Sequence, residues 1–306
     1  MKTSKIIKGP FADLTNDVAF KWVFGQESNR DILKALLNEL LPDKTISDIT
    51  LFKENNLGHK KGLKKGVFDI SCKTDDGAYI DVEIQVRPQK WFADRCLYYS
   101  TYNIQSQIAE GVEDYTLKQV YVVSIDDFVR EHGPGWKGEI QTHYSLREDS
   151  TGELMTDSLH FSFVELPLFK KKWEELENDK ERFYFCFRHL HELKEIPEDM
   201  FEGVLLKMIG WSRVWEMPPK IRNKYNKSMT TEIDKRAQLK YAREQGLEQG
   251  LEKGLEQGRA EGLAEGEAKG KAEARTEMAR ALLKDGVDIN AVAKYSGLSI
   301  EQVKAL

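Results

Sequence analysis

The stretch that decides the fold is Val67-Phe68-Asp69-Ile70-Ser71-Cys72-Lys73 and, after Asp75-Asp76-Gly77, Tyr79-Ile80-Asp81-Val82-Glu83-Ile84-Gln85-Val86. Apolar and polar residues alternate in both runs, the pattern of strands with one face on a core. In the second run Ile80, Val82, Ile84 and Val86 form the core set, and Tyr79, Asp81, Glu83 and Gln85 lie on the other face. In the first, Phe68, Ile70 and Cys72 are the apolar set, with Asp69 opposite them beside Val67 and Ser71. For the two apolar sets to share a face, paired residue numbers must sum to an even value, and a three-residue loop at Asp75-Asp76-Gly77 gives 152. That register sets Asp69 opposite Glu83. Gly77 stands where such a loop takes left-handed backbone, whereas a tighter Asp-Gly turn would pair Asp69 with Ile84 and put core residues against polar ones. Carboxylates on directly opposed residues, with Cβ atoms about 5 Å apart, repel unless a cation compensates. Hard divalent ions prefer such oxygens. Without a cation, the pair is the polar face of a half-buried hairpin.

Working outward, Val18, Phe20, Val23, Phe24, Ile32, Leu36, Leu37 and Leu40 recur at helical spacing and predict a helix over 15–41, broken near Gly25 to Ser28 and stopped by Pro42. Strands are predicted at 46–52 and 117–125, with a helix over 91–110 between the hairpin and the latter. Further strands are predicted at 139–146 and 160–166, then helices at 173–193 and 197–215. Helix, three strands, helix, strand indicates an α/β sheet with helical cover. Met217-Pro218-Pro219 marks the expected end of the globular body.

From about Thr231 the composition turns to Glu, Lys, Gln, Ala and Gly, with Gly246, Gly250, Gly254, Gly258, Gly262, Gly266 and Gly270 every fourth residue. A four-residue step overshoots one helical turn by about 40°, so the glycines form a slowly winding stripe. Each interior Gly costs about 1 kcal/mol relative to Ala. The tract therefore reads either as a solvated, frayed spacer or as a helix that gains by seating another helix in its groove. At the end, Ala293, Gly297 and Val303 have helix-turn-helix spacing, and Ser299 with Gln302 forms a capping box. A last helix of about seven residues is short for major-groove recognition. A small packing hairpin is the expectation.

The chain of 306 residues carries a formal net charge of -5, which excludes a uniformly basic nucleic-acid coat but leaves room for a local basic patch. Cys72, Cys96 and Cys186 are scattered, without CxxC spacing, which argues against a disulfide framework or structural zinc. The start lacks an apolar leader and no run approaches the roughly 18 apolar residues of a membrane helix. No membrane and a cytoplasmic location are expected. No GxSxG, P-loop or HxxxH pattern occurs, so serine hydrolase, NTPase and zincin chemistry have no support.

Phe68-Asp69-Ile70 followed by Asp81-Val82-Glu83-Ile84-Gln85 resembles the PD-(D/E)XK nuclease signature, set in that superfamily's order of elements. Within it, the chain resembles the recombination-promoting nuclease / putative transposase family. The match is carried by Asn16-Asp17-Val18-Ala19-Phe20-Lys21 ahead of Phe24-Gly25, by Asp94-Arg95-Cys96-Leu97-Tyr98-Tyr99, and by the glycine-periodic tail. The resemblance implies an α/β fold, a PD-(D/E)XK nuclease-like mixed sheet flanked by helices, over 1–169. A helical extension (170–229) packing on it, the glycine-periodic charged helix (230–275) and the terminal hairpin (276–306) follow.

The resemblance further implies a metal-dependent DNA endonuclease that promotes recombination or serves a mobile element or defence system. Asp69, Glu83 and the Ile84 carbonyl would hold Mg2+ or Mn2+, which activates water and stabilises the pentacovalent phosphate. Gln85 occupies the signature's Lys position; it can orient a water or phosphate but supplies no charge. The alternative is a weak or inactive nuclease-fold protein that binds DNA or assembles. Lys21, Arg87 or Arg95 would furnish the missing charge. Asp17 reads either as a complement to the helix dipole or as support beside the metal. Arg95 and Tyr98, three apart on one helix face, read either as phosphate contacts or as a packed Tyr with a snorkelling Arg. Lys60, Lys61, Lys64 and Lys65 read either as a solvated charge run or as a hold on the DNA backbone. The implied partners are DNA and, through the tail, further copies of the chain.

Overall fold

The hairpin has the register that its alternation requires. In the computed structural model, which describes residues 6–52, 68–109, 111 and 113–306, Ile70 pairs with Val82, Ser71 with Asp81, Cys72 with Ile80 and Lys73 with Tyr79. Thr74 N–H donates to Ala78 O at 2.9 Å, and Gly77, at φ 93°, closes the three-residue loop. The run His59 to Lys65 lies outside the described residues.

In chain order the elements are β1 (Ile6–Lys8), α1 (Asp17–Phe24), α2 (Arg30–Leu40), β2 (Ile49–Leu51), β3 (Ile70–Thr74), β4 (Tyr79–Gln85), α3 (Phe92–Gln105) and β5 (Val120–Asp126). There follow β6 (Gln141–Arg147), β7 (Leu154–Glu165), α4 (Asp179–His189), β8 (Glu195–Pro197), α5 (Gly203–Ser212), α6 (Pro219–Lys284), α7 (Ile289–Ser296) and α8 (Ile300–Lys304). A six-stranded sheet has the order β2-β3-β4-β5-β7-β6, and β1 pairs separately with β8. The short loop makes β3 and β4 antiparallel, while the crossover through α3 brings β5 back parallel to β4. The result is the mixed sheet expected.

Each sheet face is covered. Ile70, Cys72, Ile80, Val82, Ile84, Val123, Ile125 and Val164 pack against α1, α2, α4 and α5 through residues such as Phe20, Phe24, Leu36, Leu37, Phe187 and Met208. The rings of Phe24 and Phe187 stack at 5.5 Å. On the other face, Phe68, Val122 and Phe163 meet Phe92, Cys96, Tyr99 and Tyr102 of α3.

Several boundaries differ from expectation, each for a local reason. β2 starts at Ile49, because Ile46 gives its N–H to Asn38 Oδ1 (2.8 Å) and takes Asn38 Nδ2 on its carbonyl (3.0 Å), leaving no ladder partner free. Phe68 does not share the face of Ile70 and Cys72: the chain bends at Asp69, which breaks the alternation and turns Phe68 under α3. The helix predicted at 173–193 begins at Asp179, where Asn178 caps it by accepting from Glu181 N–H at 2.9 Å. Pro219 opens a helix, a position that suits its missing N–H, instead of ending the body.

Contacts divide the chain into two units, residues 1–231 and 232–306. Within the first, Tyr225 is buried with Ala12, Ala19 and Met217, and its hydroxyl accepts from Asp13 N–H at 3.0 Å. Within the second, Ala279, Val292 and Val303 centre a small core joined by Leu282, Leu283, Val287 and Leu298. The capping box of Ser299 and Gln302 is formed. Along the glycine tract a Cβ added at any of its seven glycines meets open space, and Leu247, Leu251, Leu255 and Leu263 are exposed. Among the described residues, no helix is long and apolar enough to cross a membrane.

Candidate active site

The loop closes one end of the hairpin, and the site lies at the other, where the start of β3 meets the end of β4. Continuing the ladder one step beyond Ile70 and Val82 sets Asp69 opposite Glu83. Phe68 would have faced Ile84, but the chain bends away, and Asp69 Oδ2 instead accepts the Ile84 N–H at 2.8 Å. The carboxylate thus caps the broken ladder, and the backbone orphan that a bend would create is satisfied.

Asn16 caps α1 by accepting the N–H groups of Val18 and Ala19, which places Asp17 in the first turn and Lys21 one turn on. Lys21 Nζ pairs with Asp17 and reaches Asp69 Oδ1 at 2.9 Å. Burial pulls the Lys21 ammonium down, but Asp69 and Asp17 outweigh it and the net displacement is upward. The carboxyl of Asp69 is pushed up by burial, opposed by Lys21 and the Ile84 N–H.

Glu83 is 7 % exposed, walled in by α3. Arg95 Nη2 donates to Glu83 Oε1 at 2.7 Å, and Gln85 Nε2 donates to the same oxygen at 2.7 Å. Gln89 completes a ring: its amide nitrogen donates to Gln85 Oε1 at 3.1 Å, and its oxygen accepts from Arg95 Nη1. Because Gln89 takes up the Gln85 oxygen, the Gln85 NH2 is the end left to face Glu83. Burial first, and then the charge of Asp69, push Glu83 up to about 7. Its second oxygen, Oε2, is buried without a hydrogen-bond partner.

The acidic face extends further than the hairpin showed. Asp81, fully buried, accepts from Ser71 Oγ at 2.6 Å and from Asn103 Nδ2 of α3 at 2.5 Å, yet burial holds it up at about 7. Across the sheet Gln85 pairs with Asp126 and Asp126 with Glu165, so the row continues along the ends of β4, β5 and β7. Asp126 accepts from Ser124 Oγ at 2.6 Å and is likewise pushed up to about 7 by burial. Glu165 holds the loop after β5 through Arg130 N–H at 2.8 Å and His132 Nε2.

Of the residues expected from sequence, Asp17, Lys21, Asp69, Glu83, Ile84, Gln85 and Arg95 come together. Tyr98 lies one helical turn past Arg95 with its ring partly exposed, and its hydroxyl accepts from Tyr102 at 3.0 Å. Lys60, Lys61, Lys64 and Lys65 fall outside the described residues. Sequence reasoning missed Gln89, Asn103, Asp126 and Glu165. Only Gln89 left a trace, the four-residue step from Gln85; Asn103 and Glu165 sit in a predicted helix and strand, and Asp126 falls just past the strand predicted at 117–125.

The donors fit a hard divalent cation. A buried carboxylate with an unpartnered oxygen, Glu83, lies beside the half-buried Asp69, and Lys21 and Arg95 supply the compensating charge here. Among the described residues no group of three or more His, Cys, Asp or Glu side chains converges as a metal cage, so the two carboxylates would need further donors, such as backbone carbonyls or water. Along a strand a residue's N–H and C=O point to one side, and neighbours alternate. Ile84 N–H faces Asp69 while Gln85 O accepts from Asp127 N–H at 2.7 Å, so the Ile84 carbonyl lies on the Asp69 side.

Comparison with known proteins identifies a family. Neither curated proteins nor solved structures give a match to the chain. The family described as PD-(D/E)XK nuclease family transposase matches residues 14–242, which include both helices before the hairpin, the whole sheet, α3 and the start of α6. With most of its length matched, and with the mixed sheet and acidic hairpin in place, the chain belongs to the PD-(D/E)XK nuclease family transposases.

Proposed function

We propose that this protein is a divalent-metal-dependent DNA endonuclease whose catalytic centre is Asp69, Glu83 and Gln85, working in recombination, a mobile element or defence. The observation that carries the reading is the buried, unpartnered Oε2 of Glu83 beside Asp69. Leaving a carboxylate oxygen buried and unpaired costs free energy unless a ligand takes it. Asp69, Glu83 and the Ile84 carbonyl would hold the ion, and PD-(D/E)XK nucleases generally use Mg2+ or Mn2+. When bound, such an ion acts as a Lewis acid on the phosphodiester and makes water a better nucleophile.

The chain's own residues do the rest. Gln85, oriented by Gln89, presents its NH2 toward the Glu83 oxygen, where it can hold a water or a phosphate oxygen by hydrogen bonding. Arg95 brings the charge that Gln85 lacks, in a planar fork suited to phosphate. Lys21 opposes the burial that pushes the Asp69 carboxyl up, and Asp17 pairs with Lys21. Phosphate contacts by Tyr98 and the Lys60 to Lys65 run belong to the same proposal, as does self-association through the glycine tract.

Supercoiled plasmid incubated with purified protein and Mg2+ or Mn2+ tests it. Nicking is expected that stops with chelator and falls by at least about 100-fold in Asp69→Ala and Glu83→Ala. Equal nicking by both variants sinks the assignment. A second reading, a nuclease-fold protein that binds DNA without cutting it, is favoured by one observation, the neutral Gln85 in the position of the signature Lys; metal-independent DNA binding with no nicking would select it.

A further inference from the structure

The turn joining β4 to α3, Pro88-Gln89-Lys90-Trp91, carries a residue that neither core nor catalytic ring uses. Trp91 is 69 % exposed and has φ 61°, ψ 28°, and it is the one non-glycine residue with positive φ among those described. A bulky side chain in left-handed backbone is an outlier that persists only where surrounding structure imposes it, and such residues gather at functional sites. Here the imposition is visible. Phe92 N–H donates to Gln89 O at 3.2 Å, and Arg95 N–H donates to Trp91 O at 2.9 Å, so the Trp91 backbone turns the chain and starts α3. Glycine would do this without strain. An indole there costs backbone energy and gains no burial.

Its surroundings show what it gains instead. Trp91 stands one helical turn before Arg95, the guanidinium on Glu83, and two residues after Gln89, which ties Gln85 to Arg95. Lys90 Nζ lies 4.6 Å from the ring centroid, a cation over the indole face. A flat exposed ring with a cation beside it, next to a centre that handles a phosphodiester, matches one nucleotide: base on ring, phosphate on cation. In intact duplex both base faces are already stacked, so the match is to an unpaired base.

We propose that Trp91 is a stacking platform for an unpaired nucleobase next to the scissile position, with Lys90 at the adjoining phosphate, so that the enzyme favours single-stranded or frayed DNA. This rests on the nuclease reading and adds a specificity-determining residue to it. Binding of a fluorescent single-stranded oligonucleotide, and of its duplex, is measured by anisotropy in chelator with the full chain and Trp91→Phe, Trp91→Ala and Trp91→Gly. Trp91→Ala and Trp91→Gly should weaken single-strand binding about tenfold, Trp91→Phe by no more than about twofold, and duplex binding should not change. Thermal melting of Trp91→Gly, which suits the backbone, should match or exceed wild type, separating lost stacking from lost folding. Unchanged single-strand binding in Trp91→Ala and Trp91→Gly, equal losses for single strand and duplex, or a Phe variant as weak as Ala would each overturn the platform. Wild type binding neither DNA form would overturn the nucleic-acid reading itself, whereas wild-type binding with indifferent variants removes only the platform.

Discussion

At the residue scale the centre is a problem of charge under cover. Asp81, Glu83 and Asp126 are all pushed up to about 7 by burial. A carboxyl whose folded pKa exceeds its unfolded value binds more protons folded than unfolded between the two. The stability it contributes is therefore complete below about pH 4 and is lost as pH rises through about 7. Metal-free protein should accordingly melt at a lower temperature at pH 8 than at pH 5, by on the order of a few kcal/mol in stability, as calorimetry in chelator would read. A higher melting temperature at pH 8 would mean that these groups are not held protonated. Gln89 makes the second residue-scale prediction. It is exposed, so Gln89→Ala should leave melting unchanged, yet it orients Gln85 and Arg95, so cleavage should slow by about 10- to 100-fold in single-turnover assays. Unaltered cleavage would show that the ring of amides is incidental.

At the element scale the hairpin was legible because parity is unforgiving: a slip of one residue would have buried Asp81 and Glu83 among the apolar set. Gly77 at φ 93° was legible for the same reason, since turn and register had to agree. Gly77→Ala should cost about 1–2 kcal/mol in denaturant melts through left-handed strain, and no loss there would contradict the observed turn. The start of β3 was not legible, because alternation assumes an unbroken ladder and the Asp69 side chain ends it by taking the Ile84 N–H. Nor was the burial of the acidic face. The inner side of α3 offers Cys96, Tyr99, Ser100 and Asn103, a mixed set that gives no clean apolar stripe. Asp126 escaped notice because the apolar run that predicts this strand ends at Ile125, one residue short of it, whereas β5 stays buried through Asp126.

At the scale of the whole molecule, family and fold followed from the first unit, whereas the tail gives a geometry in search of an occupant. The glycines and exposed leucines of the tract run together without cover within their unit. If the groove seats a second copy, replacing Gly250 and Gly254 by Ala has opposed effects: helicity rises, by about 1 kcal/mol per site, while the mass by light scattering falls. A solvated spacer would gain helicity with no change in mass, and truncation after Thr231 would leave the number of chains per particle unaltered.

On the proposed function, Asp69 and Glu83 form one cation site. Isothermal titration of Mn2+ into the full chain at pH 8, where the Glu83 carboxyl is ionised, reads it most directly. Wild type should bind at a single site, and both Asp69→Ala and Glu83→Ala should lose that binding while remaining folded by circular dichroism; Mn2+ binding that survives both substitutions would contradict the account.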